Sequence, residues 1–222
     1  MTTKTRLVVF DVDGTLVDSQ GVIVASMLDA FDAVGYAPPA RNQILSIVGL
    51  SLPVAMARLA PDADIDRMVQ TYKDSFVSRR AAAGSAESSP LYPGTRAMLD
   101  RLHTAPDISL GIATGKSRRG LDLLLDAYDI GSIFVTQQVA DVHPSKPHPA
   151  MLHAAMHEAG VEADHAVMIG DTTFDMDMAR AAGMPFIGVS WGYHPAHHLT
   201  YATTVLNDFD SLDVALATMW ER

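Results

Sequence analysis

The chain has 222 residues and a net charge of −10, from 16 basic and 26 acidic side chains. That length allows one or two domains with a sizeable core. The acidic balance excludes a general nucleic-acid binder, which needs a basic footprint, but leaves phosphorylated substrates open, because a bound divalent cation inverts the local field. The absence of cysteine removes disulfides, thiolate nucleophiles and cysteine-ligated metals. No stretch reaches the ~18 apolar residues of a membrane span, and a soluble, cytoplasmic protein is expected.

Leu7–Phe10 is an apolar run ending at Asp11 and reads as a buried strand. From Ser19 the period changes: Ile23, Met27, Ala30, Phe31 and Val34 recur at helical spacing, and Gly35 supplies a stop. Helical segments are expected at about 41–48, 52–60 and 64–83, the last capped by Asp64, with Met68, Tyr72, Phe76 and Val77 on its apolar face. Gly84–Gly94, rich in Gly, Ser and Pro, reads as a linker. Beyond it helices and strands alternate: helix 95–104, strand Ile108–Thr114, helix 117–128, strand Ile133–Thr136, helix 147–159, strand Ala166–Gly170, helix 174–182 and strand Phe186–Ser190. A short strand near Thr204–Leu206 and a C-terminal helix close the chain. This pattern predicts an α/β protein: a Rossmann-like parallel sheet core with an inserted α-helical cap. The core is expected over 1–17 and 87–222, and the cap over 18–86.

Ligands in such sheets bind beyond the carboxyl ends of the strands, and the unusual polar residues gather there. Asp11 and Asp13 flank Val12 ahead of Gly14, which permits a turn that lets both carboxylates meet one pocket. One would serve as nucleophile and the other as acid/base; the plainer alternative is an Asp-Gly turn. Asp171 and Asp175 follow another strand. A second carboxylate cluster beside Asp11 needs a cation between them, and all-oxygen ligands suit Mg²⁺. Asp171 could equally be a helix N-cap. Lys146, one of only four lysines, precedes Pro147 at a loop-to-helix junction, where its charge could neutralise a nucleophile or a phosphate. Thr114 and Gly115 offer a hydroxyl and a close backbone approach to phosphate.

Four motifs stand in order: DVDGTLVDS (11–19), ATGKS (113–117), SKPHP (145–149) and GDTTFDMDMARAAGM (170–184). With them the chain resembles the haloacid dehalogenase superfamily of phosphatases, in the branch with a helical cap between the first two motifs. Within it the chain looks most like the phosphoglycolate phosphatase-like members. The resemblance implies that Asp11 forms an aspartyl-phosphate while Asp13 protonates the leaving alcohol and then activates water. It assigns Mg²⁺ to Asp11, the Asp13 backbone carbonyl and Asp171, with Asp175 in support. Thr114, the Gly115 N–H and Lys146 would hold the phosphoryl oxygens. The expected substrate is a small phosphorylated metabolite such as phosphoglycolate, and the expected state a monomer or homodimer without nucleic-acid or membrane partners. Alternatives are a sugar-phosphate mutase and a silent phosphate-binding regulator. An acid at Asp13 argues against the dehalogenases, which place Tyr there, and Ser145 stands where many members have Gly.

Competing motifs are weaker. Gly188-Val189-Ser190-Trp191-Gly192 looks like a serine-hydrolase elbow, but no His follows a later Asp. Residues 111–117 have three residues between glycines where a P-loop needs four. His153 and His157 lack the intervening Glu of a zincin and read as solvated, and Lys73 likewise. His194, His197 and His198 are expected at the rim of the site, Val48–Ser51 as a specificity loop, and Arg41 and Arg58 as possible contacts to a substrate anion.

Overall fold

The computed structural model describes residues 5–221; positions 1–4 and 222 of the expected core range lie outside them. The chain begins with strand β1 (Arg6–Phe10), then runs through helices α1 (Gln20–Ala33), α2 (Arg41–Leu45), α3 (Leu52–Leu59), α4 (Ile65–Ala83), α5 (Ser85–Ser88) and α6 (Thr95–His103). There follow β2 (Ile108–Thr114), α7 (Arg118–Tyr128), β3 (Phe134–Val139), α8 (Ala150–Ala159), β4 (Ala166–Gly170), α9 (Thr173–Ala181), β5 (Phe186–Val189), β6 (Thr204–Leu206) and α10 (Leu212–Trp220).

The six strands form one parallel sheet in the order β3-β2-β1-β4-β5-β6. Alternating side chains divide β1 between two cores. Val8 and Phe10 join Leu99, Leu110, Leu121, Val167 and Leu212 on one face. Leu7 and Val9 join Met151, Leu152, Met168 and Phe186 on the other. Burial on both faces explains the uninterrupted apolar run of β1, each large side chain contributing about 2 kcal/mol. A third apolar cluster lies within the segment between β1 and α6, built on Ile23, Met27, Phe31, Ile44, Met56, Met68 and Phe76, with Phe174 and Tyr193 packed against it.

Differences from expectation are local. The Gly84–Gly94 segment contains the single turn α5. β3 runs on to Val139 because Gln138 satisfies its amide inside, donating to Thr136 Oγ1 at 2.7 Å and Glu158 Oε2 at 2.8 Å; its polar side chain hides the strand from a reading of apolar runs. α8 starts at Ala150, not 147, because the His148 N–H first closes a turn on Ser145 O and Pro149 stands at the helix's N-cap position. Asp64 does cap α4, accepting from Arg67 N–H at 3.1 Å. Thr172, not Asp171, caps α9. No helix among the described residues is long and apolar enough to cross a membrane.

Candidate active site

The order of reversal in the sheet falls between β1 and β4, and the crevice beyond their carboxyl ends is where an open α/β sheet binds ligands. Asp11 follows β1 directly and Asp171 follows β4. After Phe10 the chain leaves the strand, and Gly14, at φ +87°, turns it back. A Cβ at Gly14 would collide with the Asp171 carboxylate, so glycine serves both backbone conformation and room.

Asp11, Lys146, Asp171 and Asp175 are at most 1% exposed. Lys146 Nζ lies 2.8 Å from Asp11 Oδ1 and 2.6 Å from Asp175 Oδ1. Burial alone would lower the Lys146 pKa, but the two carboxylates overcome it and hold the ammonium charged well above its ordinary range. Burial pushes Asp11 up to about 7, with Lys146 opposing and Asp175 reinforcing the rise. Neither Asp11 oxygen has an aligned hydrogen bond; the contact to Lys146 is electrostatic.

Asp171 is fixed by Thr15 Oγ1, donating at 2.9 Å, and by the Tyr193 N–H at 2.8 Å. Burial, then Asp175 and Asp11, drive its pKa well above the carboxylate range. Asp175 accepts from Thr172 N–H at 3.1 Å and Thr172 Oγ1 at 2.6 Å, closing a capping box at the start of α9. Oxygens of Asp11, Asp171 and Asp175 lie within 4.8 Å of one another. Such buried, clustered carboxylates fit a hard divalent cation of the Mg²⁺ kind, whose charge would relieve both raised pKa values.

Asp13 sits apart from that cluster. Its carboxylate accepts from Lys116 Nζ at 2.8 and 2.9 Å and from Ser19 Oγ. Ser19 stands at the N-cap of α1 but makes no side-chain cap there, its hydroxyl being given to Asp13. Tyr193 Oη lies 3.3 Å from Ser19 Oγ and accepts the Ser19 N–H at 3.2 Å. Lys116 also lies 5.1 Å from the ring centre of Phe76 on α4. Sequence reasoning gave Lys116, Ser19 and Tyr193 no role; the lysine's position in ATGKS, so near the Asp-x-Asp strand end in a parallel sheet, was the available signal.

Thr114 is buried and, with Asp11, Asp13, Gly115 and Lys116, lines a cavity of about 620 Å³ beneath the helical segment. Val48–Ser51 lines this cavity. The Ser51 N–H donates to Ser145 Oγ at 2.8 Å, so the serine that departs from the motif ties the loop to the sheet domain. His194 is buried, its Nε2 3.1 Å from Ser46 O and its Nδ1 3.1 Å from the Thr173 N–H. Burial lowers its pKa. His197, His198, His153, His157 and Lys73 are exposed. Arg41 reaches Gln20 Oε1 at 2.8 Å and Arg58 stacks over Phe174, and neither lines the cavity.

A profile of the haloacid dehalogenase-like hydrolases matches residues 8–189, and the chain belongs to that family; it is a phosphatase, a phosphoric monoester hydrolase. It is 34% identical over 202 residues to "Probable phosphatase IndB" of Dickeya dadantii, covering 88% of this chain and 86% of that one. It is 33% identical over 218 residues to the phosphoglycolate phosphatase of Rhodospirillum rubrum, covering 93% and 89%. A haloacid dehalogenase-like family hydrolase of Streptococcus pneumoniae superposes with a TM-score of 0.82 at 25% identity, over 97% of this chain and all of that one.

Proposed function

We propose a Mg²⁺-dependent, two-step phosphomonoesterase for small phosphorylated metabolites, with Asp11 as nucleophile, residues 18–86 as a cap over the site, and 1–17 with 87–222 as the catalytic core. The observation that carries this reading is the Asp11 carboxylate: buried at the sheet's carboxyl edge, held electrostatically by Lys146 and free of aligned hydrogen bonds. An oxygen of Asp11 attacks phosphorus in line, the bond to the ester oxygen breaks, and the leaving alkoxide takes a proton from Asp13. The Asp13 carboxylate then accepts a proton from water as that water's oxygen attacks phosphorus, releasing phosphate and regenerating Asp11.

Lys146 neutralises charge on the phosphoryl oxygens, and Thr114 and the Gly115 N–H orient them. Asp11, Asp171 and the Asp13 carbonyl would hold Mg²⁺, with Asp175 beside them; when bound, it supplies charge stabilisation to the transferring group. Among the described residues, the four carboxylates make ion pairs with two ammonium groups, Lys146 and Lys116, an excess of negative charge that a divalent cation balances. Phosphoglycolate, named in several relatives, is the reference ester.

Phosphate release from a panel of monoesters tests the reading, run with Mg²⁺, with EDTA and with Asp11→Asn. Metal-dependent release that falls by about three orders of magnitude in the variant is expected, as for loss of a nucleophile that acts with its partners as a unit. Release that survives Asp11→Asn at wild-type rate removes Asp11 from the role.

A further inference from the structure

Lys73, Phe76 and Arg80 follow one another three and four residues apart along α4 and so share one helical face. Lys73 and Phe76 line the cavity, as do Arg119 and Leu123, four residues apart on α7. Lys73 and Arg119 are exposed. Arg80 is only 3% exposed and stands behind this wall: its guanidinium carbon lies 5.9 Å from the Phe76 ring centre, and its Nη2 donates to Leu123 O at 3.2 Å. Its Nε and Nη1 have no hydrogen-bond partner. Asp13 favours its charge from a distance, but both Asp13 oxygens are engaged by Lys116.

A guanidinium stays protonated even when buried, so Arg80 is an interior positive charge with idle donors. Such a charge costs stability until an anion is brought to it. Fastening α4 to α7 through Leu123 O uses one of its nitrogens and leaves two idle. The wall that separates it from the cavity is apolar, Phe76 and Leu123, and low-dielectric matter weakens a field far less than water does. A negative group in the cavity therefore meets Arg80 as a counter-charge, with or without direct contact. Lys73 and Arg119 add charge of the same sign. Away from the catalytic end the cavity is also lined by Asp74, which accepts from Gln70 Nε2 at 2.9 Å, and by Asp141, which accepts the Arg118 N–H. Both acids are exposed, so water and salt screen them as they do not screen Arg80.

We propose that Arg80 is a specificity residue, selecting monoesters whose leaving group carries a second negative charge such as a carboxylate. This rests on the phosphatase reading above and deepens it by naming the residue that reads the leaving group and the charge it reads. Phosphoglycolate and phosphoglycolamide differ by a carboxylate against a neutral amide of nearly the same shape. Each protein supplies its own ratio of the two, which does not depend on the fraction of enzyme that is folded. With Mg²⁺ and the full chain, kcat/KM for the acid is expected to exceed that for the amide by about tenfold or more, carried mainly in KM. Arg80→Gln should remove most of that preference, and Arg80→Lys, which keeps the charge, should retain part of it. A wild-type ratio near one overturns the inference, and so does a preference undiminished by Arg80→Gln; either leaves the phosphatase reading intact. Release from neither ester nor any other monoester takes down both.

Discussion

Asp13 is held by partners from near and distant parts of the chain. It is bracketed by Lys116 from 103 positions away and by Ser19, itself backed by Tyr193. Lys116 and Asp13 side chains are only 6% and 12% exposed, so removing one partner strands the other's charge. Lys116→Met is expected to destabilise the fold by about 3 kcal/mol, read by denaturant unfolding. In the proposed reaction it should also lower kcat about tenfold or more, because the carboxyl that serves the leaving group loses the contact that positions it. Unchanged turnover in the folded variant would leave Lys116 as a packing residue. Asp11, Asp13 and Asp171 could be singled out because each lies in a short motif at a strand end, whereas Lys146 and Asp175 stood out clearly only through the motifs that carry the family resemblance. The partners of Asp13 could not be, since a contact between Asp13, Ser19, Lys116 and Tyr193 exists only once the sheet order is known.

Elements were legible wherever period and punctuation agreed, as in β1, α4 and the alternation from α6 onward. They were obscured where a polar residue is satisfied inside, as at Gln138, or where prolines shift a helix start, as before α8. The loop after β5 shows how such an element contributes. Its His194 spans from Thr173 at the start of α9 to Ser46 at the end of α2, a neutral imidazole accepting on Nδ1 and donating from Nε2. Burial holds its pKa below the ordinary 6.5. Below 6.5 the unfolded chain therefore takes up the proton first, and the stability His194 contributes is present above that pH and lost as pH falls through its folded value. Wild type should lose more stability between pH 7 and pH 5 than His194→Gln does, measured by thermal melts in Mg²⁺. Equal losses in the two proteins would remove His194 as the source.

At the scale of the molecule, a helical body with its own apolar cluster sits over a sheet with two others. The bodies meet closely at Gly115, where a Cβ would stand 2.6 Å from Gly49 O and 2.8 Å from Leu50 O. Gly115→Ala should therefore push the loop away from the site while leaving the two clusters of the sheet intact. The expected signature is a fall in kcat/KM of at least tenfold, little change in melting temperature, and a larger radius of gyration by small-angle scattering. Unchanged activity would show that the loop need not seat closely for turnover.

The seating of that loop relies mostly on main-chain atoms: the Ser51 N–H, the Ser46 carbonyl, and the Gly49 and Leu50 carbonyls packed over Gly115. Main-chain groups are the same whatever side chain they carry. The side chains at 47, 48, 50 and 52 line the cavity and also belong to, or pack against, the helical body's apolar cluster, so they can be exchanged for other apolar side chains of similar volume without unfastening the two bodies. The fold separates the fastening from the reading head, and a library confined to those four positions is a direct route to retargeting the enzyme.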